Sequence, residues 1–167
     1  MGTVYWFTGL SGAGKTTIGQ LFYEKMKEKY LNTVFLDGDI MRKVFGDDLG
    51  YSEEERKKCA MRYSRLCAML QEQGMNVICC TISMFDSVRE WNRENIRNYK
   101  EIYVKVSMET LKDRDQKGLY RGGTEEHKEV VGIHMAIEEP KCPDLILEND
   151  GEKTPEEQVT EILKHGL

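Results

Sequence analysis

The sequence predicts an α/β fold, a three-layer sandwich in which helices cover both faces of a parallel β-sheet. Strand-like and helix-like segments alternate along the whole chain, as they do in successive β-α-β units. Residues 76–82 form an apolar run, which is typical of a central strand buried on both faces. A glycine-rich segment joins the first predicted strand to the first predicted helix, at the edge where open parallel sheets bind ligands.

The glycine-rich segment, residues 9–16, reads GLSGAGKT and matches the phosphate-binding pattern G-x-x-x-x-G-K-[ST] in full. It follows a β-branched and aromatic strand over residues 3–8 and precedes a helix over residues 17–30. Inward-turned backbone N–H groups and the positive end of the helix dipole bind phosphate in this arrangement. A glycine-rich turn that binds nothing is the alternative, which the complete motif disfavours. We therefore predict a P-loop NTPase fold with ATP bound by Gly9, Leu10, Ser11, Gly12, Ala13, Gly14, Lys15, Thr16 and Thr17.

Four polar side chains have predicted chemical roles. Lys15 is predicted to reach the β- and γ-phosphates as a catalytic residue, and the Thr16 hydroxyl to ligate Mg²⁺, which is expected with ATP. A second strand, over residues 33–36, delivers Asp37 and Asp39 to the ligand-binding edge. Asp37 is either the N-cap of the next helix or a catalytic residue. Asp39 is predicted to act near the γ-phosphate and to assist the metal, directly or through water, because the third strand lacks a terminal Asp.

The longest predicted helix spans residues 52–74. It opens with a capping-box pattern at Ser52 and ends at Gly74, a C-terminal cap. Its apolar stripe is predicted to be Leu66, Met69 and Leu70. Its arginines are expected to lie mainly on a solvated face.

The second half of the chain continues the alternation. The third strand, residues 76–82, is predicted to deliver Ser83 to the ligand-binding edge, and a helix over residues 86–99 and a strand over 102–106 follow. Residues 108–114 are predicted to start a short helix. A strand over residues 145–147 and a helix over residues 155–164 complete the chain. Between them, residues 115–143 lack periodicity and contain a basic, glycine-rich stretch, which predicts a lid over the phosphates. We expect residues 1–167 to form one domain.

Composition excludes several classes of function. A net charge of -5 argues against a nucleic-acid-binding surface, and no apolar run is long enough for a membrane span. Five cysteines without a C-x-x-C pair indicate reduced thiols and a cytoplasmic location, and no structural zinc is expected. Because Cys79 and Cys80 are adjacent in a strand, one is predicted to face each helix layer.

The motifs together resemble those of the adenylylsulfate kinase (APS kinase) family over nearly the whole chain. The family phosphorylates the 3′-hydroxyl of adenosine 5′-phosphosulfate with MgATP. The matching segments are residues 9–16, 36–39 with Arg42, 48–52 with Arg56, 82–83, 114–115 and 117–120.

The resemblance implies roles for individual residues. Arg42 and Arg56 would hold the anionic groups of the acceptor nucleotide, and Arg114 would lie by the donor adenine. Asp39 would be the base or the magnesium-linked carboxylate, and Ser83 matches a serine that some members carry phosphorylated. Small nucleotide substrates and a homodimer are expected. The implied acceptor site comprises Asp39, Arg42, Tyr51, Arg56, Cys59, Ile82, Ser83, Lys117, Leu119 and Val130.

Departures from the family pattern concentrate on the acceptor side. Cys59 stands where the family usually has Asn, and Asp86 where it has Arg. Val130 replaces the Phe that, with an aromatic residue matching Tyr51, sandwiches the acceptor adenine. Since base stacking is worth roughly 1–3 kcal/mol, this loss would weaken adenine binding about tenfold or more. Neutral substitution in the lid is the other explanation.

We therefore predict a kinase that phosphorylates the 3′-hydroxyl of a nucleotide with a modified 5′-phosphate. The altered base clamp favours cytidine diphosphoramidate as the acceptor, and adenosine 5′-phosphosulfate is the alternative. A nucleoside monophosphate kinase is disfavoured by the D-G-D and K-G-L-Y segments. A non-catalytic ATP-binding regulatory module is disfavoured by Asp39, a carboxylate that a pure binder does not need.

Overall fold

The computed structural model describes residues 2–115, 118, 131–132 and 135–166. Within them, five strands form one sheet in the order β2-β3-β1-β4-β5, and every neighbouring pair is parallel. This confirms the predicted fold class. The strands are β1 (Val4–Thr8), β2 (Thr33–Asp37), β3 (Asn76–Cys80), β4 (Tyr99–Lys105) and β5 (Leu145–Glu148).

Helices cover both faces of the sheet. They are α1 (Lys15–Lys29), α2 (Gly38–Val44), α3 (Glu53–Glu72), α4 (Asp86–Asn95), α5 (Met108–Arg114) and α6 (Pro155–Lys164). Apolar residues of α1 and α6 pack on one face, and residues of α2, α3 and α4 pack on the other. Cys80 lies in the first core and Cys79 in the second, as predicted. All five cysteines are free thiols.

Several element boundaries differ from the prediction. Helix α4 ends at Asn95 rather than at residue 99, and β4 begins at Tyr99 rather than at residue 102. The first part of β4 pairs only with β1, because β5 enters the register at Ile102, opposite Leu145. Two of these first residues, Lys100 and Glu101, are charged, and the buried Glu101 pairs with Arg93, so a search for apolar runs did not find them. Strand β3 ends at Cys80 rather than at residue 82, because its pairing with β1 and β2 ends there.

The predicted apolar stripe of α3 is wrong in part. Met69 is 48% exposed, and Leu66 and Leu70 are only partly buried at the margin of the core. The buried face instead carries small, sulfur-containing and polar residues at helical spacing, which a search for large apolar residues overlooks. They are Cys59, Ala60, Tyr63, Ser64, Cys67 and Gln71.

Both predicted ends of α3 are confirmed. The Ser52 hydroxyl accepts the backbone N–H of Glu55, whose side chain accepts the backbone N–H of Ser52. At the other end Gly74 has φ +86°, and the N–H of Met75 reaches back to the carbonyl of Leu70. These caps satisfy backbone groups that the helix itself leaves without partners.

Only part of the predicted lid belongs to the described residues. Val131 is buried in a small third core with Leu10 and Leu111. The remaining lid positions lie mostly outside the described residues. In the described part of the chain, no helix is long and apolar enough to cross a membrane.

Candidate active site

A cavity of about 850 Å³ opens at the carboxyl edge of the sheet. Its walls come from the phosphate loop, the ends of β2 and β3, helix α3 and the segment after β5. This edge brings together most of the residues predicted from the sequence. Those that line the cavity are Ser11, Gly12, Gly14, Lys15, Thr16, Thr17, Asp37, Asp39, Arg42, Tyr51, Arg56, Cys59, Ile82, Ser83 and Arg114.

Three predicted ATP-binding residues do not line the cavity. Leu10 and Ala13 are buried in the core, and a side chain at Gly9 would place its Cβ 2.4 Å from the carbonyl oxygen of Val104. The carbonyl of Leu10 accepts a hydrogen bond of 2.7 Å from the Lys15 ammonium group. These three residues therefore shape the loop, and any contact they make with ATP would come from the backbone.

The phosphate loop is anchored from the far side by a residue that the sequence analysis missed. The Asn149 side-chain amide donates a 2.8 Å hydrogen bond to the carbonyl of Ala13. Gly14 has φ +97°, and a Cβ there would lie 2.5 Å from the same amide nitrogen, so the close approach requires glycine. Asn149 directly follows β5, and the rule that ligand-edge residues follow strands would have found it.

Asp37 is the N-cap of the next helix, one of the two roles that the sequence left open, and it also contacts the phosphate loop. Its Oδ1 accepts hydrogen bonds from the backbone N–H groups of Asp39 and Ile40, so it is the N-cap of α2. Its Oδ2 accepts a 2.8 Å hydrogen bond from the Thr16 hydroxyl. A hydroxyl group beside a carboxylate at the end of a phosphate loop is a donor set that suits Mg²⁺. Asp39 lies in the first turn of α2, at the cavity wall.

Two arginines surround the ring of Tyr51. The guanidinium carbon of Arg42 lies 4.5 Å from the ring centroid, and that of Arg56 lies 5.1 Å from it. Arg42 also donates to the carbonyl groups of Leu49 and Gly50, and Nε of Arg56 donates to the carbonyl of Tyr51. All three side chains line the same cavity.

The wall formed by α3 contains a chain of hydrogen bonds. The Cys59 thiol donates to the Tyr63 hydroxyl across 2.9 Å, and that hydroxyl donates to the carbonyl of Gly38. Burial raises the pKa of Tyr63, so its phenol stays protonated and serves as a donor. The sequence analysis missed Tyr63, since its type and spacing are equally typical of a core residue.

Ser83 adopts a backbone conformation that is rare for residues other than glycine, with φ +33°. Its hydroxyl lies 2.8 Å from the Thr81 hydroxyl, and Arg89 donates to its carbonyl. Asp86, three positions after Ser83, does not line the cavity. It pairs with Arg89 and with Lys141, whose hydrogen bond lowers the pKa of Asp86.

Helix α5 and the segment after β5 form a further wall of the cavity. Arg114 lies near Gly151, and Lys153 and Pro155 line the same region. The sequence analysis did not identify Gly151, Lys153 and Pro155 as cavity residues. Lys117, Leu119 and Val130, predicted for the acceptor site, lie outside the described residues.

Comparison with known proteins gives consistent results. Residues 1–148 match the family model described as adenylylsulphate kinase. The chain is 42% identical over 162 residues to the cytidine diphosphoramidate kinase of Campylobacter jejuni, covering 96% of this chain and 94% of that protein. It is 38% identical over 165 residues to the adenylyl-sulfate kinase of Halothermothrix orenii, covering 98% and 89%. The solved structure of the Mycobacterium tuberculosis APS kinase in complex with AMPPNP and APS has a TM-score of 0.87, 30% identity and coverage of 98% and 96%.

Proposed function

The chain belongs to the adenylylsulphate kinase family and is an APS kinase-like nucleotide kinase, and we propose that it transfers the γ-phosphoryl group of ATP to the 3′-hydroxyl of a nucleotide with a modified 5′-phosphate. One observation carries this proposal. A single cavity is lined by Lys15 and Thr16 of the phosphate loop, by Asp39, and by Arg42 and Arg56. Groups suited to binding the phosphates of ATP, a carboxylate and two cations suited to binding an anion therefore line the same cavity.

Positioning and charge neutralisation carry most of the catalysis in phosphoryl transfer. The loop amides and Lys15 bind the phosphates of ATP, which requires the Lys15 ammonium group to exchange the Leu10 carbonyl for phosphate oxygens. Asp39 accepts the proton of the attacking 3′-hydroxyl. Thr16 and Asp37 would hold Mg²⁺, which would supply charge neutralisation at the phosphates.

Cytidine diphosphoramidate is the acceptor we favour. The C. jejuni relative named for this substrate is more similar to the chain than the H. orenii adenylyl-sulfate kinase is. The acceptor wall also departs from the APS kinase pattern at Cys59, whose thiol is engaged with Tyr63. Adenosine 5′-phosphosulfate is the second candidate, supported by the family match and by the retained arginines.

The test is ADP release from MgATP with each of the two acceptors, followed by location of the new phosphate on the product. We expect 3′-phosphorylation and a higher kcat/KM for cytidine diphosphoramidate. A higher value for adenosine 5′-phosphosulfate would reassign the acceptor. ATP binding without any acceptor-dependent ADP release would support a non-catalytic module instead. The Asp39→Asn variant should bind ATP while losing turnover, which separates binding from chemistry.

A further inference from the structure

We infer that Tyr63 of α3 is a positioning residue for Asp39, and that its hydroxyl group sets kcat by holding the start of α2 in place. Tyr63 acts through the backbone of Gly38, the residue before Asp39. The inference rests on the proposed function, in which the Asp39 carboxylate accepts the proton of the attacking hydroxyl group.

Helix α2, which carries Asp39, needs support from the rest of the fold. Within α2, which the structure describes in full, Met41 is the only buried residue, whereas Ile40 and Val44 are 61% and 75% exposed. A helix of 7 residues is too short to be stable by itself. The position of α2 therefore depends on the contacts that other elements make with its two ends.

The side chain of Tyr63 contacts both ends of α2. Its hydroxyl group donates a 2.9 Å hydrogen bond to the carbonyl of Gly38, the first residue of the helix. Its ring stacks on that of Phe45, the C-cap, with the centroids 6.0 Å apart and the planes at 22°. Tyr63 is itself buried on the 20-residue helix α3. A fixed side chain therefore supports α2 at its first residue and at its C-cap.

The peptide unit that joins Gly38 to Asp39 is held at both of its polar groups. Its carbonyl accepts from Tyr63, and its N–H donates to Oδ1 of Asp37 across 3.0 Å. Because a peptide unit is planar, these two bonds fix its orientation and with it the position of the Asp39 Cα atom.

The end of β3 restricts the same peptide from a third direction. A Cβ atom on Gly38 would lie 3.2 Å from the carbonyl oxygen of Cys80 and 3.4 Å from the Thr81 hydroxyl oxygen. The backbone of Gly38 is therefore packed against the segment that follows β3, with the Tyr63 hydroxyl group at its carbonyl. Loss of that hydroxyl group removes one of the contacts that orient Asp39.

The main experiment compares Tyr63→Phe with the unaltered protein, using both acceptors. The substitution keeps the stacked ring and removes only the hydroxyl group. We expect kcat to fall about 3- to 10-fold, the range for loss of one hydrogen bond that orients a reacting group. The KM values for ATP and for the acceptor should change less than about twofold.

Backbone hydrogen exchange in the absence of nucleotides tests the contact without turnover. In Tyr63→Phe, the N–H groups of Asp39 and Ile40 should exchange about 2- to 10-fold faster, while those of Phe45 and Gly46 should not change. Tyr63→Leu, which also removes the stacked ring, should accelerate exchange at both ends of α2.

Two control variants separate this effect from others. Tyr99→Phe removes the hydroxyl group that donates to the buried Glu101 across 3.1 Å, away from the cavity, and should leave kcat unchanged. Cys59→Ala removes the thiol that donates to the Tyr63 hydroxyl group but keeps the bond to Gly38. Exchange at the start of α2 should therefore be unchanged in Cys59→Ala.

Three results would overturn the inference: an unchanged kcat in Tyr63→Phe, a lower kcat without faster exchange at Asp39 and Ile40, or a higher KM in place of a lower kcat. The last result would make Tyr63 a substrate-binding residue. If the unaltered protein shows no acceptor-dependent turnover, the proposed function fails, and hydrogen exchange still reports whether Tyr63 holds α2. The two failures are therefore distinguishable.

Discussion

The hydroxyl group of Thr16 donates a hydrogen bond to Oδ2 of Asp37 across 2.8 Å, although the two residues are 21 positions apart. The contact joins the start of α1 to the end of β2, at the mouth of the phosphate loop. It also explains why Asp37 can serve as helix cap and site residue together, since each carboxylate oxygen has its own partners. Asp37 is therefore the carboxylate best placed to share a metal ion with Thr16.

The first prediction concerns this carboxylate. Asp37→Asn should raise the Mg²⁺ concentration for half-maximal turnover by about 10- to 100-fold, the usual cost of losing a residue that supports a metal ligand. The Asn side-chain oxygen can still cap α2, so the unfolding midpoint should change little. A magnesium titration of the initial rate checks the prediction, and an unchanged titration curve would assign the metal-linked role to Asp39 instead.

The second prediction concerns the anchor of the phosphate loop. Asn149→Ala removes the hydrogen bond to the Ala13 carbonyl, worth about 0.5–1.5 kcal/mol, so the KM for ATP should rise roughly two- to tenfold. Asn95→Ala is the matched control, because Asn95 donates a bond of the same length, 2.8 Å, to the Trp91 carbonyl away from the cavity. Equal ATP affinity in both variants would show that the loop holds its shape without this anchor.

The third prediction concerns the loop lysine. Lys15→Ala should lower kcat by about 10²- to 10³-fold or more, since it removes a charged donor from the transferred phosphoryl group. Lys25→Ala, on the exposed face of the same helix, should keep full activity. Initial rates of ADP release measure both variants, with circular dichroism to verify folding. Comparable rates in the two variants would contradict the catalytic assignment of Lys15.

The fourth prediction concerns Asp86, an acid where the APS kinase pattern has a cation. Asp86→Asn should destabilise the fold by about 1–2 kcal/mol, because Arg89 is buried and loses an ionic partner. Acceptor KM should change little, since Asp86 does not line the cavity. Glu53→Gln breaks an exposed ion pair and should cost less than about 0.5 kcal/mol.

The effect of Asp86 should depend on pH in a defined direction. Hydrogen bonds from Lys141 and Arg89 lower the pKa of Asp86 in the folded state. Its contribution to stability is therefore present above the pKa of an unfolded aspartate, about 4, and is lost as pH falls through the lower folded value. Chemical denaturation at pH 7 and at pH 3 should show the difference between the unaltered protein and Asp86→Asn shrinking at the acidic pH.

Local sequence patterns predicted much of the fold and the part of the cavity formed by the phosphate loop and the ends of β2 and β3. The complete loop motif predicted the strand-loop-helix unit, and the ends of β2 and β3 predicted Asp37, Asp39 and Ser83. Tyr63 escaped because no local pattern distinguishes a cavity residue from a core residue, whereas Asn149 directly follows β5 and was within reach of the rule that ligand-edge residues follow strands. The face of α3 was misjudged for a related reason, since cysteine, serine and glutamine are buried there in place of larger apolar residues.

By itself, the sequence determined the alternation of strands and helices that indicates a parallel sheet, the phosphate-loop motif and the polar residues at the strand ends, because these depend on residues close together in the chain. Only the tertiary structure decided which distant groups meet: Thr16 with Asp37, Ala13 with Asn149, and Tyr51 with Arg42 and Arg56. Such pairs follow from strand register and from the packing of loops onto the sheet. The spacing of apolar residues, every second residue in a strand or every 3.6 residues in a helix, carries no information about strand register or about the packing of loops.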